Sequence, residues 1–129
     1  MTQYLDLADY LAIAEFVLGI DAKALANGAG IGLADSALAA PRASFGDQEF
    51  YPTFERKAAI LLLNLVRNHP LPDGNKRTAY VALREFVSRN DRIWVTTSID
   101  DIVVTMVRVA SGEIGIDELA DWVVSHLKK

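Results

Sequence analysis

The sequence has no cysteine, which removes thiol nucleophiles, disulfide scaffolds and every cysteine-based zinc site from consideration. It also fits a reducing compartment. Nor is there a basic excess. Thirteen Lys and Arg against 17 Asp and Glu give a formal charge of −4, so no overall positive field draws the chain onto DNA or RNA. Any nucleic-acid role must then come through a partner. Long apolar runs are missing too: one of the longest, Ala58–Leu63, falls far short of the ~20 residues that span a bilayer. The opening residues MTQYLDLADYL offer neither a basic start before an apolar run nor a small-residue cleavage site, so they do not read as a signal peptide. No internal repeat and no low-complexity linker is found. These absences predict a soluble, cytoplasmic chain with no membrane contact and no direct nucleic-acid partner. What the chain does have is apolar content: 51% of 129 residues are hydrophobic, enough for one domain over 1–129 with its own core.

Periodicity predicts mainly helices. Asp6 can cap a first helix to about Leu18, and Gly19 supplies a stop. Asp21 could cap a short helix through Ala26. The glycines at 28, 30 and 32 read as a flexible turn, since no apolar strand precedes them as a dinucleotide site requires. A short helix over Leu33–Ala40 ends at Pro41. The stretch Pro41–Tyr51 reads equally as a mobile binding flap or an ordinary surface crossover. From Pro52 to Asn68 the helix is apolar nearly all round, which marks it as central. A second strong helix covers about Gly74–Arg89, with Ala79, Leu83, Phe86 and Val87 inward and Asn90 closing it. Arg92–Val95 could form a short strand. Ser98, with Asp101 three residues on, opens a helix to about Ala110; its β-branched content keeps a strand as the alternative. The last helix begins at Ile116–Asp117 and turns Leu119, Trp122, Val123 and Leu127 inward. His126, beside Lys128 and Lys129, is predicted at the surface.

The stretch His69–Arg77, HPLPDGNKR, carries the chemistry. Two prolines bracket Leu71, so the segment is a stiff turn between two helices. A plain account gives Asp73 the job of N-cap. It then meets Lys76 and Arg77 in the first turn of the next helix, where two cations oppose the helix dipole by about 0.3–1 kcal/mol each. An anion at the helix N-terminus resolves the conflict: free N–H groups, Lys76 and Arg77 would converge on it. Gly74 lets the backbone approach closely, as phosphate sites require. Asp73 is a hard oxygen ligand suited to Mg²⁺ already held by phosphates. His69 can accept a proton from an attacking hydroxyl; a helix-end cation without a catalytic task is the alternative.

The same residues resemble the Fic/Doc family, and its death-on-curing branch in particular. The Fic pattern is His-x-Phe-x-Asp/Glu-Gly-Asn-Gly-Arg with a second arginine three residues later. His69, Asp73, Gly74, Asn75 and Arg77 match it in place, and Leu71 stands for the anchoring aromatic. DGNKRTA looks more like the Doc branch, which has Asn-Lys-Arg where Fic has Asn-Gly-Arg. Chain length, Arg89-Asn90 and SGEIGIDELA at 111–120 extend the similarity over roughly residues 50–125. The resemblance implies an all-α bundle of about six helices with the motif loop between two central ones. It also implies ATP and Mg²⁺, with His69 as general base, Asp73 on the metal, and Gly74, Asn75, Lys76 and Arg77 cradling phosphates.

By that resemblance the chain is expected to be a Doc-like toxin. Such a toxin moves the γ-phosphate of ATP to a threonine of elongation factor Tu and so inhibits translation. An antitoxin with a disordered C-terminal segment is the expected partner. A Fic-type AMP transferase and a non-catalytic partner-binding relative are the alternatives. Lys76 stands where AMP transferases have a second glycine, and Tyr80 where they have the second arginine; both departures favour phosphate transfer. Arg67 resembles a basic position in Doc and reads either as support for the site or as a surface charge.

Overall fold

A computed structural model describes residues 1–21, 24 and 28–129 of the chain. Its six α-helices are α1 (Leu7–Leu18), α2 (Gly30–Ala39), α3 (Phe54–Arg67), α4 (Asn75–Arg89), α5 (Ile99–Ser111) and α6 (Ile116–His126). Between α2 and α3 lie a 3₁₀ turn, Ala40–Arg42, and a two-stranded hairpin. In the hairpin, β1 (Ser44–Phe45) pairs antiparallel with β2 (Gln48–Glu49). The class is all-α, as expected. The short helix expected from Asp21 to Ala26 falls mostly outside the described residues. No helix among the described residues is long and apolar enough to cross a membrane.

Local chemistry accounts for most of the boundaries. Asp6 accepts from the Asp9 N–H while Asp9 accepts from the Asp6 N–H, a reciprocal cap that starts α1. Gly19, at φ +67°, ends it in the left-handed conformation that glycine adopts without strain. Thr53 caps α3 through the Arg56 N–H. Ser98 caps α5 through the Asp101 N–H, and Gly112 closes it. That pairing of cap and stop explains why Ile99–Ser111 is helical despite its β-branched residues: the local signals outweigh the propensity.

The core is built around α3. Nine of its 14 residues are buried, because α4, α6, α5, α2 and the 3₁₀ turn all pack on it. Fully enclosed Leu61, Leu62 and Leu65 contribute about 1.5–3 kcal/mol each by leaving water. Lys57 lies on the same helix and is equally buried. Its ammonium donates to Glu49 Oε1 at 2.9 Å, to the Tyr51 carbonyl and to the Pro41 carbonyl. Three donors meet three acceptors, which is what allows the charge inside.

Three expectations are corrected. Gly30 and Gly32 lie in α2, which begins earlier than expected. Gly30 is packed so closely on the motif loop that a Cβ would stand 1.7 Å from the Pro70 carbonyl oxygen. Arg92–Val95 does not form a strand, because pairing stops at a single bridge, Trp94 to Leu127. That bridge also explains the third correction. His126 is buried rather than exposed, since the chain after α6 turns back along residues 93–95. The imidazole stacks on Trp94 with ring centroids 4.7 Å apart. Its two nitrogens lie 2.7 Å from the Val95 carbonyl and 2.9 Å from Asp101 Oδ2.

Candidate functional site

The loop Asn68–Gly74 links the two central helices, α3 and α4. Its shape is set by its own sequence. Pro70 and Leu71 are buried, so the apolar middle of HPLPDGNKR anchors the turn in the core. Asn75 fastens it: the Leu71 N–H donates to Asn75 Oδ1, and Asn75 Nδ2 donates to the Leu71 carbonyl, both at 2.9 Å. His69 takes a positive φ of 53°, a conformation that costs a non-glycine residue about 1 kcal/mol and holds only where the surroundings impose it. Gly74 is also left-handed, at φ +76°, and sits so close to Leu18 of α1 that a Cβ would stand 2.3 Å from its Cδ2.

These constraints bring the sequence-predicted residues together. His69, Asp73, Gly74, Asn75, Lys76 and Arg77 all line one cavity of about 390 Å³. Val66, Arg67 and Ala110 complete its walls. His69, Asp73, Lys76 and Arg77 are exposed, whereas Asn75 is 5% exposed. Among the described residues Lys76 and Arg77 make no ion pair. Two cations without an ion-pair partner among the described residues therefore face one recess.

The helix end beneath them is open as well. Gly74, not Asp73, is the N-cap of α4, and no side chain caps it. The N–H groups at the start of a helix have no intrahelical acceptor. Here they add to the partial positive charge of the dipole. Asp73 is thus free of the capping role that the plain reading gave it. Its carboxylate remains available to a ligand.

Two assignments are refined by the geometry. The Asn75 side chain is spent on Leu71, so what it can offer an anion is its backbone N–H; its amide positions the loop. Arg67 donates from Nε to the Val109 carbonyl at 3.0 Å and from Nη2 to the Ile114 carbonyl at 2.6 Å. It ties the end of α3 to the α5–α6 turn and thereby fixes the wall that carries Ala110. Neither the Gly30–Pro70 contact nor the Arg67 anchor is encoded locally. Each joins positions about 40 residues apart, and no periodicity or motif marks them.

Among the described residues no three His, Asp or Glu side chains gather into a ligand set. One exposed carboxylate, Asp73, beside an anion recess fits an ion that arrives with phosphates.

A small helical bundle with an uncapped, doubly cationic helix N-terminus beside a histidine is the arrangement expected of the Fic type. Comparison with known proteins agrees. The model of the Fic/DOC family matches residues 4–87, and the chain belongs to that family. It is similar to a protein named Toxin Doc from Mycolicibacterium smegmatis, with 36% identity over 121 residues, 93% of this chain and 90% of that protein.

Proposed function

We propose that the chain is a Doc-like toxin of a toxin–antitoxin system. In this reading it is a kinase that transfers the γ-phosphate of ATP to a threonine hydroxyl of elongation factor Tu, and so inhibits translation. The observation that carries the reading is the recess itself: unpaired Lys76 and Arg77 over open N–H groups, with His69 and Asp73 on the same walls. The similarity to Toxin Doc supports the toxin class and, with it, an antitoxin partner bearing a disordered C-terminal segment.

ATP with Mg²⁺ supplies the transferable phosphoryl group, and Asp73 would hold the ion. The N–H groups of Asn75, Lys76 and Arg77, with the two cationic side chains, would bind the phosphate oxygens and stabilise charge that grows during transfer. The His69 imidazole nitrogen takes the proton from the threonine hydroxyl as its oxygen bonds to phosphorus. The bond from phosphorus to the bridging oxygen breaks, and ADP leaves with the electron pair. The Asn75 side chain acts at one remove, by fixing the loop, and Arg67, itself on the wall of the recess, holds that wall through the Val109 and Ile114 carbonyls.

Transfer of AMP is the second reading. Lys76 argues against it, because a long cation fills the place where close backbone approach would admit the nucleotide's phosphates. Incubation with a bacterial lysate and ATP labelled at either the α- or the γ-phosphate separates the two. Label from the γ-phosphate in elongation factor Tu is the expected result; label solely from the α-phosphate overturns it. Substitution His69→Ala is expected to lower transfer at least 100-fold, within the usual range for loss of a general base, and to relieve growth arrest on expression. Arrest that persists in this variant removes catalysis from the account.

A further inference from the structure

The recess does not end at Arg77. Lys76 and Arg77 also line a second cavity, of about 220 Å³, whose other walls are Tyr80 of α4 and Ile102, Val103, Met106 and Val107 of α5. Tyr80 in turn lines a third, of about 470 Å³, whose polar lining is Arg84, Glu85, Ser88 and Arg92. Shared residues thus join the three into one trough along the exposed face of α4, on which 76, 80, 84 and 88 recur at helical spacing.

The charge along this trough is unusual for an acidic chain. Arg84 and Arg92 are both exposed and make no ion pair among the described residues. The one carboxylate in that lining, Glu85, is taken by Arg89 at 3.0 Å. The trough is therefore cationic at the reaction end, apolar in the middle and cationic again at the far end. We infer that it is the docking surface for the acceptor protein, and that its occupant is an extended segment carrying an acidic residue beyond the phosphorylated hydroxyl.

The spacing makes the inference specific. From Arg77 to Arg84 is seven residues, about 10 Å along a helix at 1.5 Å per residue. An extended chain covers that distance in about three residues at 3.3 Å each. The acceptor should therefore carry Asp or Glu three or four positions from its hydroxyl residue, with an apolar residue between them over Met106 and Val107. This rests on the protein-phosphorylating reading above.

Charge reversal tests it. In steady-state transfer to elongation factor Tu, Arg84→Glu with Arg92→Glu should raise the KM for the protein acceptor about tenfold. The kcat and the KM for ATP should stay unchanged, and Arg84→Glu alone should give an intermediate effect. An unchanged acceptor KM overturns the inference, as does a loss confined to antitoxin affinity, which would assign the trough to that partner. A second measurement does not depend on turnover. A synthetic hexapeptide with threonine, a valine and two glutamates at the stated spacing is titrated into ¹⁵N-labelled protein. Amide shifts should follow Arg77, Tyr80 and Arg84, and should weaken at 0.5 M salt on the order expected from screening and in the double variant. Shifts that avoid this face, or that survive charge reversal, overturn the inference. If His69→Ala leaves growth arrest intact the kinase reading fails, while the titration still decides what the trough binds.

Discussion

At the scale of single residues, the site depends on two places where a side chain would not fit or would not relax. Gly30 touches the Pro70 carbonyl, and a methyl group there would have to occupy space already held by backbone. Backbone cannot swing aside as the tip of a side chain can. Gly30→Ala is thus expected to displace the motif loop: transfer should fall at least tenfold, and thermal unfolding should show a loss of about 1–3 kcal/mol, as overpacking commonly costs. Wild-type melting and turnover in this variant would show that the contact is dispensable. At Gly74 the obstacle is the end of Leu18, which can move, so Gly74→Ala is governed by its positive φ. Asn75 shows how far one residue can be read from the sequence. Its match to a phosphate-binding motif placed it at the recess, yet its side chain bonds Leu71. A motif reports which residues gather, not which atom of each one faces the ligand.

Among the elements, those with both a cap and a periodic apolar face were legible. The helix α1 begins and ends where Asp6 and Gly19 put it, and α5 runs from the Ser98 cap to Gly112. The burial of α3 followed from its apolar circumference. Legibility failed where an element is defined by a distant partner. The start of α2 is set by Pro70, and the inward turn of His126 is set by Trp94 and Asp101. A histidine beside two lysines looks solvated until the chain that folds back over it is known. The hairpin is a further instance. Pro41–Tyr51 is polar and carries Gly46 at φ +62°, but its attachment comes from Lys57, twelve residues beyond the end of β1 in the chain. One ammonium holds both ends of the segment, through the Pro41 and Tyr51 carbonyls, and β2 through Glu49. Removing it leaves these acceptors without a donor, at about 1–3 kcal/mol for each one that stays buried. Lys57→Met should therefore loosen the hairpin ahead of the core. The Phe50 amide, bonded to the Ala43 carbonyl at 3.0 Å, should exchange with deuterium faster in the variant, while amides of α3 and α4 keep their relative protection. Equal acceleration throughout the chain would instead make Lys57 a plain core residue.

The whole molecule is tied across its faces by charge as well as by packing. Arg89 at the end of α4 forms two hydrogen bonds with Asp9 on α1, at 2.8 and 3.1 Å. The guanidinium holds the Asp9 carboxyl below its ordinary value of 3.8, against the opposing effect of partial burial. A carboxyl depressed in the folded state adds stability that is present above its unfolded value and is lost as pH falls through the folded one. Wild-type protein should accordingly lose stability more steeply below about pH 4 than Asp9→Asn, so the gap between them narrows as acid is added. Urea unfolding at pH 6 and pH 3 measures this, and a gap that widens in acid would contradict the sign. The pair joins α1 to α4, the same two helices that meet at Leu18 and Gly74, so the recess is braced at both ends of that contact.

The motif lies in the middle of the chain, but the residues that shape it do not. Gly30 and Leu18 precede it, whereas Arg67 reaches forward to Val109 and Ile114, and α3 is closed over by α6. A ribosome adds about 5–20 residues per second during synthesis. The stretch from Arg77 to His126 therefore represents seconds in which the histidine and both cations exist without a finished recess. A growing chain of this kind carries the motif long before the packing that shapes it is complete, because the helix that closes over the central one is made last.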